Sequence, residues 1–136
     1  MGKSWVEKRD INKQYQVKIN PKKFADIPVG AKMFIPTPQI LDNFVQYIPS
    51  GSFLTLKQIR KDLAKKYHAE MTCPVVTGIS LRIISEAAFE EYQIDQNMDE
   101  ITPFWRVVDP DSKLANKLAC GIDFIIERQF QEGINL

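Results

Sequence analysis

The feature that most narrows the fold is a set of three apolar stripes at three- and four-residue spacing between Pro36 and Glu100, separated by two short breaks. The first begins at Pro36-Thr37-Pro38, where Thr37 can cap a helix and Pro38 suits its first turn. Ile40, Leu41, Phe44, Val45 and Ile48 then fall on one helical face. Pro49-Ser50-Gly51 ends this segment, and Phe53-Leu54 reads as a short extended link. Thr55 followed by Gln58 has the form of a capping box, and Leu56, Ile59, Leu63 and Tyr67 make the second stripe. The opposite face of that helix carries Lys57, Arg60, Lys61, Lys65 and Lys66. After a loop from His68 to Thr72, Pro74 opens a third helix, which Val76, Ile79, Ile83, Ala87 and Tyr92 would bury along one side. The polar run from Asp95 to Glu100 would end it.

Beyond the stripes, Trp105 to Val108 is β-prone and Asp109-Pro110-Asp111-Ser112 is a strong turn. An irregular stretch leads to Cys120-Gly121. Ile122, Ile125, Ile126 and Phe130 then define a last helix, with Gly133 at its C-terminal cap. Residues 1 to about 33 show no helical periodicity, although Tyr15, Val17 and Ile19 alternate with polar residues as in a half-buried strand. The expected organisation is a basic N-terminal arm over 1–35, with a possible strand and a tip expected to be disordered, followed by a domain over 36–136. Helix, link, helix, turn, helix, then strand and loop predicts a mainly α fold: a winged helix-turn-helix-like domain with a short wing. That order alone does not specify DNA binding, because the same module also serves as a protein-binding unit.

Composition limits the function classes. A chain of 136 residues is one domain by size and can bury a core without metal or disulfides. No apolar run is long enough to span a bilayer, and Met-Gly-Lys-Ser-Trp lacks a secretory hydrophobic stretch, so the expected location is the cytoplasm, without a membrane partner. Cys73 and Cys120 have no closely spaced Cys or His partner. They therefore read as small buried apolar residues rather than zinc ligands or a disulfide pair, and no metal or cofactor is expected. Net charge is +1, unevenly spread: thirteen Lys or Arg face five Asp or Glu over residues 1–68, while Arg82 alone faces seven acids over 69–101. A polyanion would be drawn to the N-terminal half.

Several short segments carry a family likeness. Thr102-Pro103-Phe104-Trp105-Arg106-Val107-Val108 resembles the Ile-Pro-Cys-His-Arg-Val-Val signature of the O6-alkylguanine-DNA alkyltransferases, the methylated-DNA-protein cysteine methyltransferases, with Phe104 at the cysteine and Trp105 at the histidine. Pro49 to Ile59 resembles the family's Pro-x-Gly-x-Val-x-[Ser/Thr]-Tyr-x-x-[Leu/Ile] entry to the first motif helix, with one residue inserted. Val75-Val76-Thr77-Gly78 resembles the Arg-Ala-Val-Gly start of the recognition helix, and Glu132-Gly133 the late Glu-Gly whose acid completes a Cys-His-Glu relay. The likeness covers about residues 36–136 of the C-terminal domain family, and extends to its cysteine-less members, the alkyltransferase-like proteins.

The departures bear on function. A phenyl ring and an indole can neither displace an alkyl group nor accept a thiol proton, so no catalytic residue is expected. In the family, an arginine at the start of the recognition helix fills the gap in the base stack and a tyrosine on the preceding helix helps rotate the phosphate. Val75 and Leu56 stand there instead. The resemblance implies a non-enzymatic protein that binds duplex DNA, around alkylated guanine, in company with a repair protein. Its expected DNA contacts are Lys57, Lys61, Thr77, Ser80 and Arg82, and its expected lesion pocket is Pro103, Phe104, Trp105 and Arg106. Arg106 has a structural reading too, as a holder of loop carbonyls. Glu132, without a histidine to orient, reads as a surface acid at a helix end. The alternative is a winged-helix protein-interaction module that has left DNA, suggested by the missing Arg and Tyr and by Glu86, Glu90, Glu91 and Asp95 on the third helix. The remote third reading is enzymatic, with Cys120 or Cys73 as a displaced nucleophile.

Overall fold

The computed structural model describes residues 2–135. It is mainly helical, with a small sheet. The elements in order are α1 (Trp5–Asp10), β1 (Gln16–Ile19), β2 (Lys32–Ile35), α2 (Pro38–Gln46), α3 (Leu56–Lys66), β3 (Met71–Thr72), α4 (Pro74–Asp95), α5 (Lys113–Lys117) and α6 (Ile122–Gln131). Single 3-10 turns stand at Met98–Glu100 and Phe104–Arg106.

The helix starts follow the local chemistry of the sequence. Thr37 Oγ1 accepts from the Ile40 N–H, Thr55 Oγ1 accepts from the Gln58 N–H, and Pro38 and Pro74 occupy first-turn positions where no N–H is missed. Leu41 and Val45 of α2, Ile48 just past its end, Ile59 and Leu63 of α3, and Leu81, Ile84 and Ala88 of α4 meet Phe104, Trp105, Val107, Val108 and Ile125 in one core.

The N-terminal 35 residues fold more fully than their sequence suggests. Ser4 and Glu7 form a reciprocal capping box that starts α1. The Glu90 carboxylate on α4 then accepts the Trp5 and Val6 N–H groups, and Arg9 pairs with Glu91 at 2.8 Å. A helix of six residues is too short to hold itself in water, so these contacts with α4 are what order the expected loose tip. The expected strand is present as β1. It pairs antiparallel with β2, from Gln16 opposite Ile35 to Ile19 opposite Lys32. On its other side β2 pairs in parallel with β3, Met33 opposite Met71, so the expected loop from His68 to Thr72 contains a short strand.

Two further expectations are corrected. Trp105–Val108 is not a strand, because Phe104–Arg106 closes a 3-10 turn whose backbone is bonded to other elements. No strand follows α4 among the described residues, so the strands that could act as a wing all precede it. The irregular stretch before Cys120 contains α5, capped by Ser112.

The buried side of α4 is also rotated from the expected one. Thr77, Leu81, Ile84 and Ala88 face the core, while Val75 and Ile79 stand 53% and 56% exposed. Thr77 and Ser85 are tolerated inside because their hydroxyls donate to the carbonyls of Cys73 and Leu81, one turn back. On α6, Phe130 was expected in the core and lies 82% exposed; Ile125 and Gln129 carry the inner face.

Candidate functional site

The Thr102–Val108 segment is tied down from four sides. Thr102 Oγ1 donates to Asp42 on α2, and Leu54 N–H donates to the Arg106 carbonyl. Gln129 Nε2 on α6 donates to the carbonyls of Trp105 and Val108. Arg106 Nη1 donates to the Ile48 carbonyl at 2.7 Å, which is the structural role foreseen for it.

At the centre lies Glu132, which is not the surface acid expected from the sequence. Its Oε2 accepts from Trp105 Nε1 and from Arg106 Nη2, each at 2.8 Å, and its Oε1 accepts from Arg106 Nε and the Gly51 N–H. Burial alone would raise its pKa. The hydrogen bonds from Arg106, Trp105 and Gly51, with the Arg106 charge, outweigh that and bring it down to about 2. Gly51 sits at φ +87°, and a Cβ there would lie 3.3 Å from the Glu132 carbonyl oxygen. Glycine is thus required both for the turn and for the approach of α6. The acid at the end of α6 therefore holds the Trp105 indole, whose N–H only donates and cannot take up a proton.

Phe104, at the cysteine position, is fully buried. It stacks on Phe124 with centroids 6.0 Å apart and meets Trp105 edge-on. It cannot line a lesion pocket. Pro103, Trp105 and Arg106 do border a cavity of about 590 Å³, whose other walls come from the end of α2, the 98–102 segment and α6. No residue of α4 lines it. The Arg128 guanidinium lies over the Trp105 ring at 4.9 Å, closing that aromatic face. With Arg106 neutralised by Glu132, the cavity keeps Asp99 and Glu100 opposite Arg128.

Of the expected DNA contacts, two are removed. Thr77 and Ser80 are 0% and 1% exposed and face the core, so neither can reach a phosphate or a base. Arg82 lies half-exposed over the Trp5 ring at 5.3 Å, 3.9 Å from Glu86. Lys57 and Lys61 are exposed and line a cleft of about 250 Å³ with Arg60, Met71 and Thr72, the chain that leads into α4. Arg60 is committed, through a bidentate contact with Asp26 and a bond to the Thr72 carbonyl. Three of the four acids of α4 are committed as well: Glu86 accepts the Ala119 N–H, Glu90 caps α1 and Glu91 pairs with Arg9, while Asp95 at the far end of the helix is exposed. The negative charge of those three is answered inside the protein rather than offered to a polyanion.

Neither cysteine sits in a setting that would activate it. Cys73 is buried between β2 and the start of α4, and burial together with Glu86 pushes the Cys120 thiol up to about 11. Among the described residues no group of three or more His, Cys, Asp or Glu could hold a metal, and no helix is long and apolar enough to cross a membrane. Comparison with protein-family models, curated proteins and solved structures returns no match to this chain.

Proposed function

We propose that this chain is a non-enzymatic, winged-helix-like protein of the alkyltransferase-like type that associates with duplex DNA, in company with a repair protein, at the α3 face and the start of α4. The observation that carries the DNA reading is the cleft shared by Lys57 and Lys61 with the residues entering α4. It sets two exposed cations, with Asp26 and Glu70 also on its walls, along the β3 residues that precede α4. The Glu132–Trp105 hydrogen bond supports the kinship, since the resemblance implies an acid at that place beside the relay position.

Phosphate contact rather than base readout is the mode these residues support. Thr77 and Ser80 are inside, Val75 is too short to fill a base gap, and Val75 and Ile79 offer no hydrogen bond to a base edge. Recognition of alkylated guanine would have to use the cavity beside Trp105 and Arg106, walled by α2 and α6 rather than α4. The test is anisotropy of labelled duplexes, with and without O6-benzylguanine, titrated at several salt concentrations. Binding that weakens steeply with salt and differs little between the two duplexes is expected. No binding at low salt would sink the DNA reading, and strong preference for the lesion would sink the phosphate-only form.

A second reading, a protein-interaction module, is favoured by one observation. Val75 and Ile79 stand one turn apart and exposed on the α4 face that a helix-turn-helix would present to DNA. Val75→Glu with Ile79→Glu separates the two: it should weaken a protein complex sharply, while duplex binding should fall by no more than the added charge explains.

A further inference from the structure

The outer side of α6 carries an apolar stripe whose two C-terminal members, Ile126 and Phe130, are exposed and belong to no buried cluster among the described residues. Ile122, Ile126 and Phe130 repeat at four-residue spacing. The first is half-buried and the other two are 48% and 82% exposed. Asp123 and Glu127 flank the stripe, also exposed and also four residues apart. An isolated exposed phenylalanine is unremarkable, but a helix face with one apolar and one acidic residue per turn is patterned as a docking face.

The same chain carries a complementary face. On α3, Lys57, Lys61 and Lys65 are exposed at four-residue spacing and make no ion pair among the described residues. They edge a groove of about 770 Å³ that includes Ala64 and Ala69, with Asp62 and Glu70 as the opposing charges. Four residues of α-helix rise about 6 Å, so acids at 123 and 127 match the lysine repeat when α6 lies along α3 of another molecule. The Lys stems and the half-buried Ala69 would then meet Ile126 and Phe130.

We propose that a second copy of this chain covers the α6 stripe, seated on the lysine-edged groove of α3. Because the two faces differ, the contact is heterologous: each molecule offers a free α6 and a free α3, and association continues past the dimer unless the ring closes. The lysines are those of the DNA reading but the stripe is not, so Phe130 separates the two ideas.

Analytical ultracentrifugation of the full chain at low salt, over a wide concentration range, tests this. The weight-average mass should climb above the 15.7 kDa monomer and continue past twice that value, or stop at a closed ring. Phe130→Glu, with a dead α6 face, and Lys57→Glu/Lys61→Glu, with a dead α3 face, should each weaken association about tenfold or more. Mixed together they should form a one-to-one pair that grows no further, since each supplies the face the other lacks. Circular dichroism checks that the variants fold, and Phe130→Glu should leave duplex binding unchanged. A wild-type chain that stays monomeric at every concentration overturns the proposal. So does Phe130→Glu associating like wild type, or a mixture of the two variants that stays monomeric.

Discussion

At the scale of single residues, Glu132 organises the motif segment, and its ionisation is tied to stability. Its carboxyl titrates near 2 in the folded chain against an ordinary 4.5. A carboxylate depressed on folding contributes stability that is complete above the ordinary value and is lost as pH falls through the folded one. Urea midpoints should therefore drop between about pH 4.5 and pH 2 in wild type, and Glu132→Gln should lack that part of the decline. The same variant leaves the mostly buried Arg106 guanidinium without its ion partner, with an expected cost of about 3 kcal/mol at neutral pH. Gly51→Ala should cost about 1–2 kcal/mol, from the positive φ, before any displacement of Glu132. Equal urea midpoints for either variant and wild type would contradict the network. Cys120, with its thiol near 11, is expected to remain unmodified after exposure to O6-benzylguanine; a benzyl adduct by intact mass on either cysteine would revive the enzymatic reading.

At the scale of elements, legibility followed how local the cause was. The starts of α2 and α3 were readable because Thr37, Pro38 and Thr55 act within one turn of themselves. The burial of α4 was less so. Thr77, Ser80 and Ser85 face inward, two of them bonded to their own helix, and Ile79 faces out, while Ala87 is buried and Val76 and Tyr92 are half-buried, so hydropathy located the inner face only in part. The helix α1 was invisible for a different reason: half of what holds it, Glu90 and Glu91, lies more than eighty residues away. Removing residues 1–14 is expected to destabilise the chain by about 1–3 kcal/mol, from the lost Trp5–Arg82 and Arg9–Glu91 contacts. It should also speed amide exchange in the second half of α4. Unchanged exchange there would mean that α1 is not a working part of the fold.

At the scale of the whole molecule, the candidate site was legible in its frame and not in its wiring. Phe104 and Trp105 can be read from the sequence as residues without a nucleophile or a base, but only the fold reveals that Trp105 donates to Glu132 and that Phe104 fills core space. Glu132-Gly133 ties the acid to the Phe104-Trp105 segment only through the family resemblance, and its ion pair with Arg106, twenty-six residues earlier, is visible only in the fold. The charge asymmetry was readable, while the internal pairing of Glu86, Glu90 and Glu91 was not. The account as a whole holds that this surface meets duplex DNA through phosphates. The measurement that bears on it most directly is the slope of log affinity against log salt for an undamaged duplex, in wild type and in Lys57→Glu/Lys61→Glu. The account predicts measurable binding at about 50 mM salt that falls steeply toward about 200 mM, with a slope shallower by about two in the variant. No binding at low salt, or a slope that the double reversal leaves untouched, would contradict it.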